Sequence, residues 1–199
     1  MLLLRDAAGE LTGLPGGAVL RIRADAGARG AVVADVLRRA AERGGRRVLL
    51  AFSGDFTALG VAPSQDFDGA PDLVAGPGGR PDVPPASGPF DGPGARLAVL
   101  ETPYRAPLDL TPARLSAAAA RLDAWRTSVA AWAREPGRPP DRASVRAAET
   151  ALADDLDVPA ALAVLDRVAA SDLAPGAKLE TFIALDLLLG LNLVALIGR

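Results

Sequence analysis

The chain of 199 residues contains no histidine and no cysteine. These absences exclude thiolate nucleophiles, disulfides, imidazole bases and the nitrogen and sulfur ligands that zinc usually has in proteins. Phe, Trp and Tyr together make up only 4% of the residues, which argues against an aromatic stacking platform for single-stranded nucleic acid. From the sequence we therefore predict no catalytic residue, no metal site and no cofactor.

A strong charge of either sign is also missing, because 22 basic residues stand against 24 acidic ones and the formal net charge is −2. No global field attracts phosphate groups, so tRNA binding is disfavoured and would require a local basic patch. Half of the residues are hydrophobic, and many of these are alanines. This composition is typical of a globular, helix-rich protein.

Long hydrophobic runs are scarce as well. The most apolar stretch, residues 182–198, contains Asp186 and Asn192 and is shorter than the roughly 20 residues of a spanning helix. The first residues lack the basic flank and the longer apolar run of a secretory signal. We expect a buried helix at residues 182–198, no membrane association and a cytoplasmic location.

The first third of the chain has the pattern of a small α/β unit. Residues 18–23 alternate apolar and polar side chains as a half-buried strand does, and residues 47–52 form a second apolar run of strand length. Between them, apolar positions from Ala31 to Ala40 recur at helical spacing, and Gly44 and Gly45 predict the end of that helix. The order strand, helix, strand predicts one Rossmann-like βαβ unit. Its glycines match no phosphate-binding signature, so we interpret them as turn residues.

The remaining residues divide into a loop-like segment and a helical part. Residues 63–94 hold eight prolines and seven glycines, a composition that predicts a linker or a loosely draped loop. Residues 96–101 fit either a third strand or a helical turn. From Thr111 and Pro112 onward, caps and apolar spacing predict successive helices with short connections. We expect a βαβ unit at residues 1–62, a linker at 63–94 and a four- or five-helix bundle at 95–199, giving a mainly α fold with a small α/β part.

Three stretches of the chain resemble the cysteinyl-tRNA synthetase family. Residues 103–111, Pro-Tyr-Arg-Ala-Pro-Leu-Asp-Leu-Thr, resemble the segment that leads into the helical DALR domain of that family. Residues 154–165, Asp-Asp-Leu-Asp-Val-Pro-Ala-Ala-Leu-Ala-Val-Leu, resemble a motif within that domain, and residues 28–39, Ala-Arg-Gly-Ala-Val-Val-Ala-Asp-Val-Leu-Arg-Arg, resemble the first helix of its nucleotide-binding fold. The resemblance implies a Rossmann-like remnant packed on a DALR-like bundle.

The departures from the family pattern bear directly on function. The family has zinc ligands, a histidine signature for ATP and a Lys-Met-Ser-Lys-Ser loop. In this chain residues 24–27 lead directly into the helix, and Lys178 is the one lysine. The resemblance thus implies a shortened, degenerate relative without the residues that the family's chemistry needs.

Candidate contact residues for RNA or a protein partner form two groups. The first is a run of arginines around the end of the first helix, and the second is a polar pair at the junction with the helical part. They are Arg38, Arg39, Arg43, Arg46, Arg47, Tyr104 and Arg105. Cations at the C-terminal end of a helix are stabilised by the helix macrodipole, which gives the first group a structural explanation. For the second group, the alternative is a contact that holds the two parts of the chain together. We interpret Asp154, Asp155 and Asp157 as cap and solvent residues rather than as metal ligands.

These observations favour a catalytically inactive binding, accessory or regulatory module, acting on a protein partner or as a homo-oligomer. A small sheet with exposed edges and an apolar face would need such a partner. Two alternatives stay open: a tRNA- or RNA-binding protein, and a repurposed enzyme that handles aminoacyl groups or adenylates.

Overall fold

The computed structural model describes residues 1–6 and 8–199. It has six α-helices and small β-sheets, so the protein is mainly α with a small α/β part, as predicted. The strands are β1 Leu3–Arg5, β2 Leu11–Gly13, β3 Val19–Ala24, β4 Arg47–Phe52, β5 Leu73–Ala75, β6 Ala86–Ser87 and β7 Leu108–Asp109. The helices are α1 Gly27–Arg43, α2 Ala95–Leu100, α3 Pro112–Trp132, α4 Arg142–Ala153, α5 Val158–Ala170 and α6 Pro175–Leu189.

The predicted βαβ unit is confirmed as β3, α1 and β4. The two strands are parallel and pair along their whole length, from Val19 opposite Arg47 to Ala24 opposite Phe52. Leu20 and Ile22 alternate with more exposed residues and are fully buried, as the period of a strand requires. Helix α1 is buried without a break from Arg29 to Leu37, because it packs between the sheet and the other helices.

A third parallel strand was not predicted, and it lies in the segment rich in proline and glycine. Strand β5 pairs with β3 on the side away from β4, which gives the order β4, β3, β5. Leu73, Ala75 and Val83 of this segment are buried in the core. The expectation of a loose loop is therefore wrong for residues 73–83, because pairing with β3 and burial of these side chains order the backbone. The division of the chain at residues 62 and 94 remains a prediction.

Both outer strands of this sheet are covered by the chain itself. Along β4, the Leu50 carbonyl accepts a hydrogen bond from the Gln65 amide at 2.8 Å, and the Phe52 amide donates to the Ser64 hydroxyl at 3.0 Å. Along β5, Val74 and Gly76 form bridges with the residues that follow the strand. The expectation of bare sheet edges is therefore wrong at these positions, and the edges alone supply no reason for a partner.

The helical part contains five helices, α2 to α6, within the predicted four or five. Thr111 caps α3 by accepting a hydrogen bond from the Arg114 amide. Residues 96–101, which fitted either a strand or a helical turn, belong to helix α2. Helix α4 ends at Ala153, because Asp155 and Leu156 adopt positive φ angles of 55° and 51°.

Helix α6 is the central element of the helical part, and it packs against α1, α3, α4 and α5. The buried side chains form one continuous cluster that runs from the sheet through α1 into the helices. Over residues 1–6 and 8–199, the helices lack the combination of length and hydropathy that a membrane-spanning helix needs.

Candidate functional site

The carboxyl edge of the parallel sheet is the first place to look for a site, because open α/β folds bind ligands where the strand order reverses. Here that point lies between β3 and β5. The Asp25 amide donates to the Ala75 carbonyl at 3.0 Å, and a Cβ added to Gly30 would lie 3.1 Å from the same oxygen. The start of α1 and the end of β5 are thus in direct contact where a ligand would enter.

The carboxylates at this edge bind neighbouring groups of the protein. Arg23 holds the Asp25 carboxylate through Nε at 2.9 Å and Nη2 at 3.0 Å. Asp55 accepts hydrogen bonds from the amide and the hydroxyl of Thr57, and these hold the pKa of its carboxyl below the usual range. A carboxylate that stays ionised in this way is a weak base, so Asp55 lacks the raised pKa of a general acid or base.

Arg38 and Arg39, two of the predicted contact residues, are bound to a buried carboxylate. Asp35 of α1 is fully buried, and it accepts from Arg38 at 2.7 Å, Arg39 at 2.8 Å and Arg96 at 2.8 Å. Burial raises the pKa of the Asp35 carboxyl, but the three guanidinium groups outweigh it and hold this pKa below the usual range. These two arginines therefore serve the fold rather than a free basic surface.

Arg96 joins this cluster to two further elements. It is buried, and it also donates to the Leu189 carbonyl at the end of α6 and to the Leu59 carbonyl in the turn after β4. Desolvation lowers the pKa of the Arg96 guanidinium, and Asp35 opposes this shift. The Asp35 cluster thus connects α1, α2 and α6 through paired charges.

Arg43 and Arg46 lie at a different place, on a pocket of about 690 Å³ between the end of α1 and α4. We call it the arginine pocket, since Arg146 of α4 lines it as well. Arg43 pairs with Glu149 at 2.9 Å, and among the described residues the Arg46 side chain donates one hydrogen bond, to the Pro15 carbonyl at 2.6 Å. Arg47 lies apart, exposed on the outer strand β4.

Tyr104 and Arg105 form a tie between distant parts of the chain. The Tyr104 hydroxyl donates to Asp155 at 2.5 Å, and Arg105 donates to the same hydroxyl at 3.0 Å and to the Arg5 carbonyl at 2.9 Å. Arg5 completes the group through its own ion pair with Asp155 at 3.3 Å. The interpretation of Asp155 as a solvent residue is therefore wrong, whereas Asp157 caps α5 as expected. Within the described residues, acidic side chains form no cluster suited to a metal ion.

An exposed apolar surface lies where α6 ends. Leu187 is 64% exposed, and it shares a groove with Ile183 and Val194. Ile197, 41% exposed, follows Val194 by one turn. We call Ile183, Leu187, Val194 and Ile197 the C-terminal apolar patch. Large side chains so exposed are common singly, but a group of them on one surface is typical of an interaction site.

Sequence reasoning missed Asp35, Arg96 and Arg29, and it interpreted Asp155 as a cap or solvent residue. Arg38 and Arg39 follow Asp35 by three and four residues, a helical spacing for ion pairs that could have revealed the first of them. Arg29 is fully buried and donates to the carbonyls of Pro84, Pro103 and Ala106, which are more than fifty residues away in the chain. Contacts at such separations leave no local signal in the sequence.

The fold is mainly α, with a short parallel sheet and a larger helical body, and Arg38, Arg39 and Arg96 are paired with the buried Asp35. Similar proteins named L-cysteine:1D-myo-inositol 2-amino-2-deoxy-alpha-D-glucopyranoside ligase include one from Nocardiopsis dassonvillei, 48% identical over 82 residues (41% of this chain, 19% of the ligase). The Streptomyces avermitilis ligase is 48% identical over 75 residues, which are 38% of this chain and 17% of the ligase. The Xylanimonas cellulosilytica ligase is 40% identical over 99 residues, which are 49% of this chain and 23% of the ligase. No family model matches the chain.

The matched part of the chain spans about a fifth of the length of these curated relatives. Over that part the chain is homologous to ligases whose name gives L-cysteine as a substrate. This supports a relationship to cysteine ligases in general, which is wider than the expected resemblance to cysteinyl-tRNA synthetases.

Proposed function

We propose that this protein is a non-catalytic relative of the cysteine ligases that acts by binding, as an accessory or regulatory module for a protein partner. In this proposal residues 1–62 correspond to a remnant of the nucleotide-binding fold and residues 95–199 to a DALR-like helical domain. Two observations support the loss of catalysis. The chain has no histidine or cysteine, and Asp25 and Asp55 at the carboxyl edge of the sheet bind neighbouring groups.

The observation that carries the binding role is the C-terminal apolar patch. Leu187, Val194 and Ile197 are exposed, while Arg39 and Asp186 line the groove that contains Leu187 and Val194. An apolar centre beside a few charged groups is the usual anatomy of a protein–protein interface. RNA would instead require free cations on the surface, and Arg38 and Arg39 are paired with Asp35.

Affinity purification of the tagged chain from its native cells tests the partner role. We expect a protein partner in stoichiometric amount, and we expect Leu187→Glu to remove it. Leu11→Glu is the matched control, because it places the same charge at another exposed leucine, on β2. Both positions are exposed, so each substitution should change stability by less than about 0.5 kcal/mol.

Two results would count against the proposal. One is a wild-type chain that captures no stoichiometric protein, and the other is a partner that Leu187→Glu retains as well as Leu11→Glu does. A partner released by ribonuclease and by moderate salt would favour the RNA alternative, since phosphate contacts weaken steeply with salt.

The loss of catalysis has its own test, which is exchange of pyrophosphate into ATP in the presence of L-cysteine. We expect no exchange above a blank without protein. A rate that depends on both the chain and L-cysteine would establish an enzyme and overturn this part of the proposal.

A further inference from the structure

The arginine pocket is a separate feature from the sheet edge and from the C-terminal apolar patch. It lies at the C-terminal end of α1, beside α4 and the ends of the β1–β2 hairpin. Its volume of about 690 Å³ is within the range of small-molecule sites. Strand β4 begins directly after Arg46, so the pocket is near the amino edge of the sheet, opposite the edge where open α/β folds bind their ligands.

The pocket combines an apolar floor with a cationic rim. The apolar side chains include Leu2, Leu14, Ala40, Leu152 and Leu188. The charged lining residues are Arg43, Arg46, Arg146 and a single carboxylate, Glu149. This local excess of positive charge contrasts with the net charge of −2 for the whole chain. It also outweighs the partial negative charge of about one half at the carbonyl end of α1.

Arg46 has an unused hydrogen-bonding edge. Its Nη1 donates to the Pro15 carbonyl, whereas its Nε and Nη2 are shielded from solvent and have no hydrogen-bond partner among the described residues. Three other arginines each have a single buried nitrogen without a hydrogen-bond partner among the described residues: Arg21, Arg29 and Arg80. A buried donor without a partner is unfavourable, so an acceptor that reaches this edge would stabilise the side chain.

The Nε and Nη2 atoms of a guanidinium form the fork that binds two oxygens of one anion side by side. The same protein uses this fork elsewhere. Arg23 holds the Asp25 carboxylate by Nε and Nη2 at 2.9 and 3.0 Å, and Arg38 holds Asp35 by the same pair of atoms at 3.2 and 2.7 Å. At Arg46 the fork has no carboxylate from the protein.

The positive charges of Arg43 and Arg146 are only partly neutralised by the protein. Arg43 has one ion pair, with Glu149, and both side chains are partly exposed. Arg146 is exposed, and its side chain forms no ion pair or hydrogen bond with the part of the chain that the structure describes. Because the Arg46 fork is shielded in the present side-chain position, an anion would reach it when the Arg46 side chain turns toward the pocket that it lines, and Arg146 on the same pocket would attract the same anion.

We infer that the arginine pocket binds a small amphipathic organic anion, with its carboxylate or phosphate group on the Nε and Nη2 edge of Arg46 and its apolar part on the leucines of the floor. The rim supplies the charge and orientation, and the floor supplies the apolar contact. This site is independent of the proposed protein partner, because none of the residues of the C-terminal apolar patch lines it.

Isothermal titration calorimetry on the full chain tests this assignment with probes of one chain length: octanoate, octyl phosphate, octylammonium and octyl glucoside. We expect the two anions to bind and the cation and the neutral glucoside to bind far more weakly. Inorganic phosphate and acetate, which lack the apolar part, should also bind far more weakly. The relative affinity of octanoate and octyl phosphate then identifies the preferred head group.

Substitutions locate the binding. Arg46→Gln and Arg146→Gln should each weaken anion binding by about tenfold, the effect of losing one charge-assisted contact. Arg146 is exposed, so its variant tests the site even where Arg46→Gln perturbs folding through the lost bond to Pro15. Arg142→Gln, on the same helix α4 but outside the pocket, is the matched control and should bind like the wild type.

Amide shifts in a ¹H–¹⁵N spectrum should be confined to the end of α1, to α4 and to the β1–β2 hairpin. The assignment is overturned by an absence of anion binding, by equal binding of octyl glucoside, or by anion binding that neither Arg46→Gln nor Arg146→Gln weakens. A Leu187→Glu chain that loses its protein partner should still bind octanoate, which separates this site from the proposed function.

Discussion

Asp35 is the side chain on which the packing of α1 against α2 and α6 most depends. It is fully buried, and its carboxylate forms ion pairs with Arg38, Arg39 and Arg96. Asp35→Asn leaves the Arg96 guanidinium buried without a counter-charge, so the free energy of unfolding should fall by about 3–5 kcal/mol. Urea unfolding followed by tryptophan fluorescence measures this loss. Glu42→Gln, which removes the exposed partner of Arg38, is the control and should cost less than about 1 kcal/mol.

The pH dependence of the same variant gives a second measurement. The pKa of Asp35 is below its usual value in the folded state, so its stabilisation is present above the unfolded pKa of about 3.9 and is lost as pH falls below that value. The difference in stability between the wild type and Asp35→Asn should therefore shrink between about pH 5 and pH 2. A difference that stays constant over this range would mean that the ionised carboxylate is not what stabilises the cluster.

Tyr104 is the single tyrosine of the chain, so its ionisation can be followed without overlap. Burial and the hydrogen bond to Asp155 raise the pKa of its hydroxyl above the ordinary value. The folded state therefore holds this proton more tightly, and stability should fall as pH rises above the unfolded pKa of about 10. Absorbance at the tyrosinate band should rise at a higher pH in the folded protein than in urea.

Asp155→Asn is the variant that tests the cause of this shift. Asn tolerates the positive φ of 55° at this position, so the backbone should be retained. The variant should bring the pKa of Tyr104 closer to its ordinary value. A tyrosine that titrates normally in the wild type would exclude the hydrogen bond between Tyr104 and Asp155.

At the scale of single elements, local signals and long-range contacts account for what could be predicted. The start of α3 at Pro112 was predicted, because a proline in the first turn acts within a few residues. Strand β5 was missed, since its segment has the composition of a loop and becomes a strand only by pairing with β3 fifty residues earlier. The arginines around the end of α1 were predicted as one group of contact residues, and that role stays a prediction. Which of them are paired within the fold depends on Asp35 and on Arg96, far along the chain.

The N-cap of α5 tests whether a residue at the start of a helix stabilises it as the sequence predicts. Asp157 accepts a hydrogen bond from the Ala160 amide at 3.0 Å, and Pro159 follows it in the first turn. Asp157→Ala should lower the free energy of unfolding by about 1 kcal/mol, because one of the first amides of the helix loses its acceptor. Asp123→Ala, at an exposed position inside α3, is the matched control and should change stability by less than about 0.5 kcal/mol. Equal effects of the two substitutions would contradict a capping role.

At the scale of the whole molecule, the continuous core bears on the proposed division of the chain. Buried side chains extend without a break from β3 and β4 through α1 to α6, and the ion pair of Asp35 with Arg96 crosses from α1 to α2. The Tyr104 group adds a second tie, between the β1–β2 hairpin and the loop before α5. Such contacts couple the sheet and the helices energetically.

We therefore expect the sheet and the helical part to unfold together. Trp125 and Trp132 both lie in α3 and contact Phe182 of α6, so tryptophan fluorescence reports the helical part alone. The amide signals of Ile22 and Leu50 report the sheet. Both probes should lose the native signal at the same urea concentration, as a two-state transition requires. If the sheet signals disappeared at a lower concentration, the contacts of α1 with α2 and α6 would be too weak to couple the parts, and residues 1–62 would behave as a separate folding unit.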